Sequence, residues 1–151
     1  MKTVQDWLIA YGESHQNPVN KKIHWVCVPL IMFSLLGLLW MIEIPVYTHF
    51  SYSNAATLLI GLVSIYYFRL SPVMGAGMLL ISFLMILAII EMSVFGVIPY
   101  IVIFILAWIG QFIGHKIEGK KPSFFEDLQF LLIGPLWLLA QLYGFLDIDY
   151  Q

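Results

Sequence analysis

Charged residues are spaced along this chain so that five long stretches contain no Asp, Glu, Lys or Arg. They hold 20 residues between Lys22 and Glu43, 25 between Glu43 and Arg69, 21 between Arg69 and Glu91, 24 between Glu91 and Lys116, and 19 between Asp127 and Asp147. A hydrocarbon core of about 30 Å is crossed by roughly 20 helical residues, so each stretch is long enough to span. Transmembrane strands would need alternating polarity, which these runs of Leu, Ile, Val, Phe and Met lack. Helices are therefore expected. Composition agrees: 61% of the 151 residues are hydrophobic and 11% charged, against about 45–50% and about 25% in ordinary globular chains. A domain of this size cannot hide that surplus internally, so it must face lipid. One cysteine, Cys27, excludes a disulfide framework, and a net charge of −2 argues against a nucleic-acid partner.

Orientation follows from the seven basic residues. Lys2, Lys21 and Lys22 precede the first stretch, Arg69 separates the second from the third, and Lys116, Lys120 and Lys121 follow the fourth. The intervening loops, near 43–51 and 91–99, contain none. The positive-inside rule then places the N-terminus and the 116–127 segment in the cytoplasm. The first stretch starts too late, and lacks the small-residue site, for a removable signal peptide. With no retention tail, a bacterial inner membrane is the expected location.

The expected architecture is an all-α polytopic membrane bundle in one domain over residues 1–151, with four clear spans. A fifth segment starts near Ser123, an N-cap with Glu126 as capping-box partner, and carries Gly134-Pro135, which predicts a kinked span or a re-entrant or in-plane helix. At the other end Thr3 and Asp6 form a second capping-box pattern. Val4, Trp7, Leu8 and Tyr11 fall at i, i+3, i+4 and i+7, which predicts a short amphipathic helix lying on the membrane or against the bundle.

Ionisable groups near hydrocarbon are costly, so function is sought among the few that remain. His15, His24 and His115 all fall at cytoplasmic helix ends, whereas His49 lies in the opposite loop. Gln111, His115 and Glu118 stand at i, i+4 and i+7 and share a helix face. Gly110 and Gly114 make a small-xxx-small pair that admits a neighbouring helix. His15 and His24, nine residues apart, would be half a turn out of phase on one helix, but Asn17-Pro18 breaks it and a turn can bring both imidazoles together. Asn20 can cap the first spanning helix or orient a ligand. A single interfacial histidine is ordinarily a polar anchor. Three at one leaflet edge suit iron or zinc, and two histidines with a carboxylate such as Glu118 would meet the usual ferrous minimum. Four histidines in all are too few for the membrane di-iron hydroxylases, so the centre would be mononuclear. Lys21, Lys22 and Lys116 are expected to serve topology before substrate, and Trp25, Trp40 and Trp137 to be interfacial or packing aromatics.

Two segments carry a family resemblance. Tyr11-Gly-Glu-Ser-His15-Gln-Asn17-Pro18-Val-Asn20-Lys-Lys-Ile-His24, followed by Val28-Pro29, resembles the H-x-N-P-x-N-x-x-I-H signature of a small membrane family. Trp108-Ile-Gly-Gln111-Phe-Ile-Gly114-His115, with Glu118 and Lys120-Lys121-Pro122, is similar to that family's W-x-x-Q-F-x-G-H…E…R-P motif. Its characterised member is the fungal 2-hydroxy fatty acid dioxygenase of phytosphingosine breakdown, which removes one carbon from 2-hydroxy fatty acids. The resemblance implies Fe2+ held by His15, His24 and His115, with zinc as a substitute, catalytic parts for these and Glu118, and cofactor contacts from Asn20 and Gln111. It further implies a lipid substrate and O2, with the surrounding membrane lipid and a homo-oligomer as compatible partners. Cys27 stands where many relatives have Gly, and Gln141 where Glu is common. The alternatives are a non-catalytic scaffold or lipid-binding protein and a zinc-dependent membrane hydrolase.

Overall fold

The computed structural model describes residues 2–44, 53–119 and 124–150, with side chains in the last stretch from Phe130 onward. His49, Lys120, Lys121 and the Ser123/Glu126 cap lie outside the described residues. All described regular structure is helical apart from one bridge between Glu43 and Asn54: α1 Val4–Glu13, α2 Pro18–Trp40, α3 Ala55–Leu70, α4 Pro72–Met92, α5 Ile98–Glu118 and α6 Phe124–Phe145. Among the described residues, three helical segments are long and apolar enough to cross a membrane: Pro18–Trp40, Pro72–Phe95 (α4 with the 3-10 turn that follows it) and Ile98–Glu118. The stretch expected to form the second span yields the shorter, 16-residue α3.

Local chemistry sets these boundaries. Thr3 and Asp6 form the expected capping box at α1, each side chain bonding the other's backbone N–H, and Val4, Leu8 and Tyr11 are its buried face. The Asp6 carboxyl is held below its usual range by the backbone and hydroxyl hydrogen bonds from Thr3. Asn17, rather than Asn20, caps α2: its side-chain oxygen accepts from the N–H groups of Val19 and Asn20, and Pro18 follows at the first helical position, where a missing N–H costs nothing. Ser71 ends α3 and caps α4, again with Pro next. Gly119 closes α5 in the left-handed conformation at φ 73°, which a side chain would disfavour.

Antiparallel α2 and α5 form the main interface, and small residues let them approach. Gly114 lies against Asn20 and Ile23, Gly110 against the Cys27 thiol, and Gly37 against the Tyr100 ring. The expected small-xxx-small pair thus faces α2, with Cys27 supplying the other side of the Gly110 contact. At the far end Leu36, Ala56, Ile89 and Tyr100 pack into a closed cluster, in which the Tyr100 hydroxyl donates to the Ile89 carbonyl at 3.1 Å.

The last helix is anchored to the bundle by three hydrogen bonds. Tyr67, near the end of α3, donates its hydroxyl to the Leu132 carbonyl at 2.7 Å, Trp25, the eighth residue of α2, donates its indole N–H to Gln141 at 3.0 Å, and Tyr143 donates to the carbonyl of Val73, the second residue of α4, at 3.2 Å. Those anchors all belong to the ends carrying Lys21, Lys22 and Arg69. Helix α1 packs on the same helix through Tyr11 and Trp137. Pro135 lies inside α6, which stays continuous through it. A proline leaves carbonyls of the preceding turn short of donors, and the Tyr67 hydroxyl serves that turn.

Two glycines test this packing. A Cβ at Gly37 would collide with the Tyr100 ring, whereas one at Gly61 meets nothing within 4 Å. Gly37→Ala is expected to destabilise by about 1–3 kcal/mol through overpacking, and Gly61→Ala to stabilise slightly through helix propensity, by about 0.5–1 kcal/mol. Thermal unfolding in one detergent should move the two midpoints in opposite directions.

Candidate metal centre

The turn between α1 and α2 does what the Asn17-Pro18 break predicts. His15 and His24 are each 1% exposed, and their Nε2 atoms stand 2.9 Å apart. His115 enters from the last turn of α5, and the ligating nitrogens of the three lie within 4.8 Å of one another. The ring of Tyr11 stacks on that of His15 at 4.1 Å with an interplanar angle of 8°. Trp137 closes the same side at 5.7 Å.

Hydrogen bonds fix which nitrogen of each buried ring carries the proton. His15 donates from Nδ1 to the Tyr11 carbonyl at 2.7 Å, and His24 from Nδ1 to the Asn20 carbonyl at 3.0 Å. A carbonyl only accepts, so both protons belong on Nδ1 and both Nε2 atoms turn lone pairs toward each other. At 2.9 Å two lone pairs repel unless a cation lies between them. Two ligands at a right angle on an ion with bonds of about 2.1 Å stand about 3.0 Å apart. The donor set therefore fits a divalent metal, with neutral imidazoles whose far nitrogens are held by backbone oxygens, as metal-binding histidines usually are.

Glu118 stands beside this set and turns its carboxylate elsewhere. Oε1 accepts from the Gln16 N–H at 2.7 Å, and Oε2 from the Asn17 N–H at 3.0 Å and the Asn20 amide at 2.8 Å. An acid at the C-terminal end of a helix opposes the macrodipole, but here it meets the positive N-terminal end of α2. The carboxylate thus pins the α1–α2 turn, on which His15 rides, to α5, which carries His115. Its geometry is that of a positioning residue. Asn20 is fully buried; its amide bonds Glu118, its carbonyl serves His24, and its side-chain oxygen lies against Gly114. The structure gives it a framing part between ligands in place of the expected cap. Gln111 is 7% exposed and shares one cavity wall with His15, His24 and His115.

That cavity, about 220 Å³, is largely apolar and runs from the imidazoles along α2 past Val28, Ile31 and Leu35 to Leu36. Helices α3, α4 and α6 contribute Leu59, Val63, Met78 and Leu131. Lys21, Lys22 and Lys116 do not line it, nor does Gln141, which is engaged with Trp25. The Gln at the position where Glu is common therefore removes no charge from the histidine set. Tyr11, Trp137 and Trp108 are site residues that the sequence reading passed over. Tyr11 stands four residues before His15, and Trp108 opens the second motif, three residues before Gln111; both spacings put the pair on one helical face.

Removing the staple tests its part. Glu118→Ala leaves the N–H groups of Gln16 and Asn17 unserved and should weaken Zn2+ or Fe2+ binding by about 10–100-fold, read by competition with a chromogenic chelator, while the overall helix content measured by circular dichroism stays unchanged.

Comparison with known proteins agrees with this geometry. The family model described as 2-hydroxy-palmitic acid dioxygenase Mpo1-like matches residues 1–146. A Saccharomyces cerevisiae protein named 2-hydroxy-palmitic acid dioxygenase MPO1 is 32% identical over 136 residues, covering 87% of this chain and 74% of the yeast protein. No solved structure matches the chain. With both histidine motifs inside the matched region, this membrane-type helical chain belongs to the Mpo1-like family.

Proposed function

We propose that this protein is a ferrous-iron-dependent dioxygenase that shortens 2-hydroxy fatty acids by one carbon, with the lipid and O2 as co-substrates. The observation that carries the proposal is the convergence of three imidazoles at the head of a deep apolar cavity. The name of the yeast relative supplies the substrate class. When bound, ferrous iron supplies the Lewis acidity and the one-electron chemistry with dioxygen that cleavage of a C1–C2 bond requires.

Residues of the chain do the rest. The Tyr11 and Asn20 carbonyls hold the Nδ1 protons, which keeps the Nε2 lone pairs of His15 and His24 directed inward. Glu118 keeps the two ligand-bearing segments together. The cavity wall excludes water and seats the acyl tail. From His24 to Leu36 is about 18 Å of helix, and the packed cluster of Leu36, Ala56, Ile89 and Tyr100 ends it. The tail needs no aqueous route, since lipid is already its solvent. In this reading α2 to α5 cross the bilayer, with α3 accommodated by local thinning. The histidine end, where Lys21, Lys22, Arg69 and Lys116 gather, faces the cytoplasm, and α6 lies at that surface.

Purified protein loaded anaerobically with Fe2+ and then given O2 and 2-hydroxypalmitate should yield the fifteen-carbon product, followed by mass spectrometry. His15→Ala, His24→Ala and His115→Ala should each abolish it. Turnover that persists under strict anaerobiosis, or in the triple variant, would identify a hydrolase or another chemistry instead.

A further inference from the structure

Trp108, Gln111 and His115 follow one another on α5 at intervals of three and four residues and therefore share a face. His115 belongs to the imidazole set. The other two line the same cavity, and each holds a buried polar atom without a partner: the Nε1–H donor of Trp108 and the Oε1 acceptor of Gln111. Leaving either unmet is costly, and a native structure that does so usually has a use for it. Both side chains are confined. Gln111 is 7% exposed, and the Trp108 indole is clasped on its own helix by Phe104, with ring centroids 6.1 Å apart, and by Phe112 at 5.8 Å. The same cavity wall includes Val28 and Ile31 of α2, which can neither donate nor accept.

A ligand that satisfies both atoms must present an acceptor and a hydroxyl-type donor close together at the head of an apolar body. An unsubstituted fatty acid offers only carboxylate oxygens, which would meet the indole N–H and leave the Gln111 carbonyl facing another acceptor. A hydroxyl on the neighbouring carbon supplies the missing proton. We infer that Gln111 and Trp108 read the polar head of the substrate, with Gln111 Oε1 accepting from the 2-hydroxyl and Trp108 Nε1–H donating to the carboxylate. This rests on the 2-hydroxy fatty acid reading above and adds to it the residues that reject the unsubstituted acid. Selectivity of this kind is strong because the wrong ligand strands a buried polar group.

The test is equilibrium binding to the full chain in detergent, by displacement of radiolabelled 2-hydroxypalmitate with unlabelled 2-hydroxypalmitate, palmitate and 2-hydroxypalmitate methyl ester. Metal-free protein is used, because an ion would itself chelate the hydroxy acid. Wild type should prefer 2-hydroxypalmitate to palmitate by about tenfold or more. Gln111→Met and Gln111→Leu should bring that ratio to about one with palmitate affinity retained. Trp108→Phe should keep the hydroxyl preference and lose about tenfold of the preference for acid over ester. Each quantity is a ratio of two ligands on one preparation, so a lower folded fraction does not move it. Metal-free wild type that binds neither acid but binds 2-hydroxypalmitate once Zn2+ is added would overturn this inference and leave the fatty-acid reading standing, and wild type that binds neither acid with or without Zn2+ would overturn both. Wild type that selects the hydroxy acid, with variants that select it equally well, would overturn this inference and leave the fatty-acid reading standing.

Discussion

The carbonyl oxygens of Tyr11 and Asn20 each take the Nδ1 proton of an imidazole four residues further on, and everything else at the site follows from those two bonds. They hold each ring in one tautomer and turn two lone pairs into a space 2.9 Å wide. Neither bond needs a special residue as acceptor. His15 adds a second bond to the Tyr11 carbonyl in the last turn of α1, which also accepts the Ser14 N–H, and His24 reaches the carbonyl one turn back within α2. The candidate metal centre is thus made from ordinary features of two helix ends. The chain contributes a turn short enough to bring them together and a third ring delivered by α5.

Holding that turn in place requires a long-range tie. Glu118 provides it, and its value lies in electrostatic economy: a carboxylate unfavourable at the end of its own helix is favourable at the start of another. Gly114 makes the tie feasible by leaving room for Asn20 between the two helices. The glycines, the asparagine and the glutamate therefore act as one device. It explains why a motif on α2 and a motif on α5 share so many polar residues when only three of them converge as candidate metal ligands.

Much of this was legible from spacing alone. Among the described residues, three of the five charge-free intervals hold the long apolar helices, Asn17-Pro18 marks the turn, and the basic ends mark where the histidines gather. The expected amphipathic helix at the N-terminus has its cap and its buried face. Features that depend on partners distant in sequence were not legible. Pro18 marks Asn17 as the cap, but nothing local says that Asn20, one turn on, serves Glu118 instead. The Glu118 carboxylate stands on the same face as His115, which suggests ligation; its true partners are about a hundred residues away. The same holds for α6, whose apolar run is almost as long as a span. Its place against the bundle is set by Tyr67, Trp25 and Val73, and hydropathy carries no trace of them.

The α1–α2 turn, α2 and α5 supply the three imidazoles, with α3 and α4 between them in sequence. During synthesis on the ribosome, the N-terminal pair emerges long before its third member. In the proposed iron enzyme, a nascent chain with only two of the rings would offer an ion a weak, open grip, and tight loading would wait until α5 has docked against α2. Under that proposal the third imidazole would double as a checkpoint on assembly, because a chain whose later helices fail to pack would lack the full ligand set.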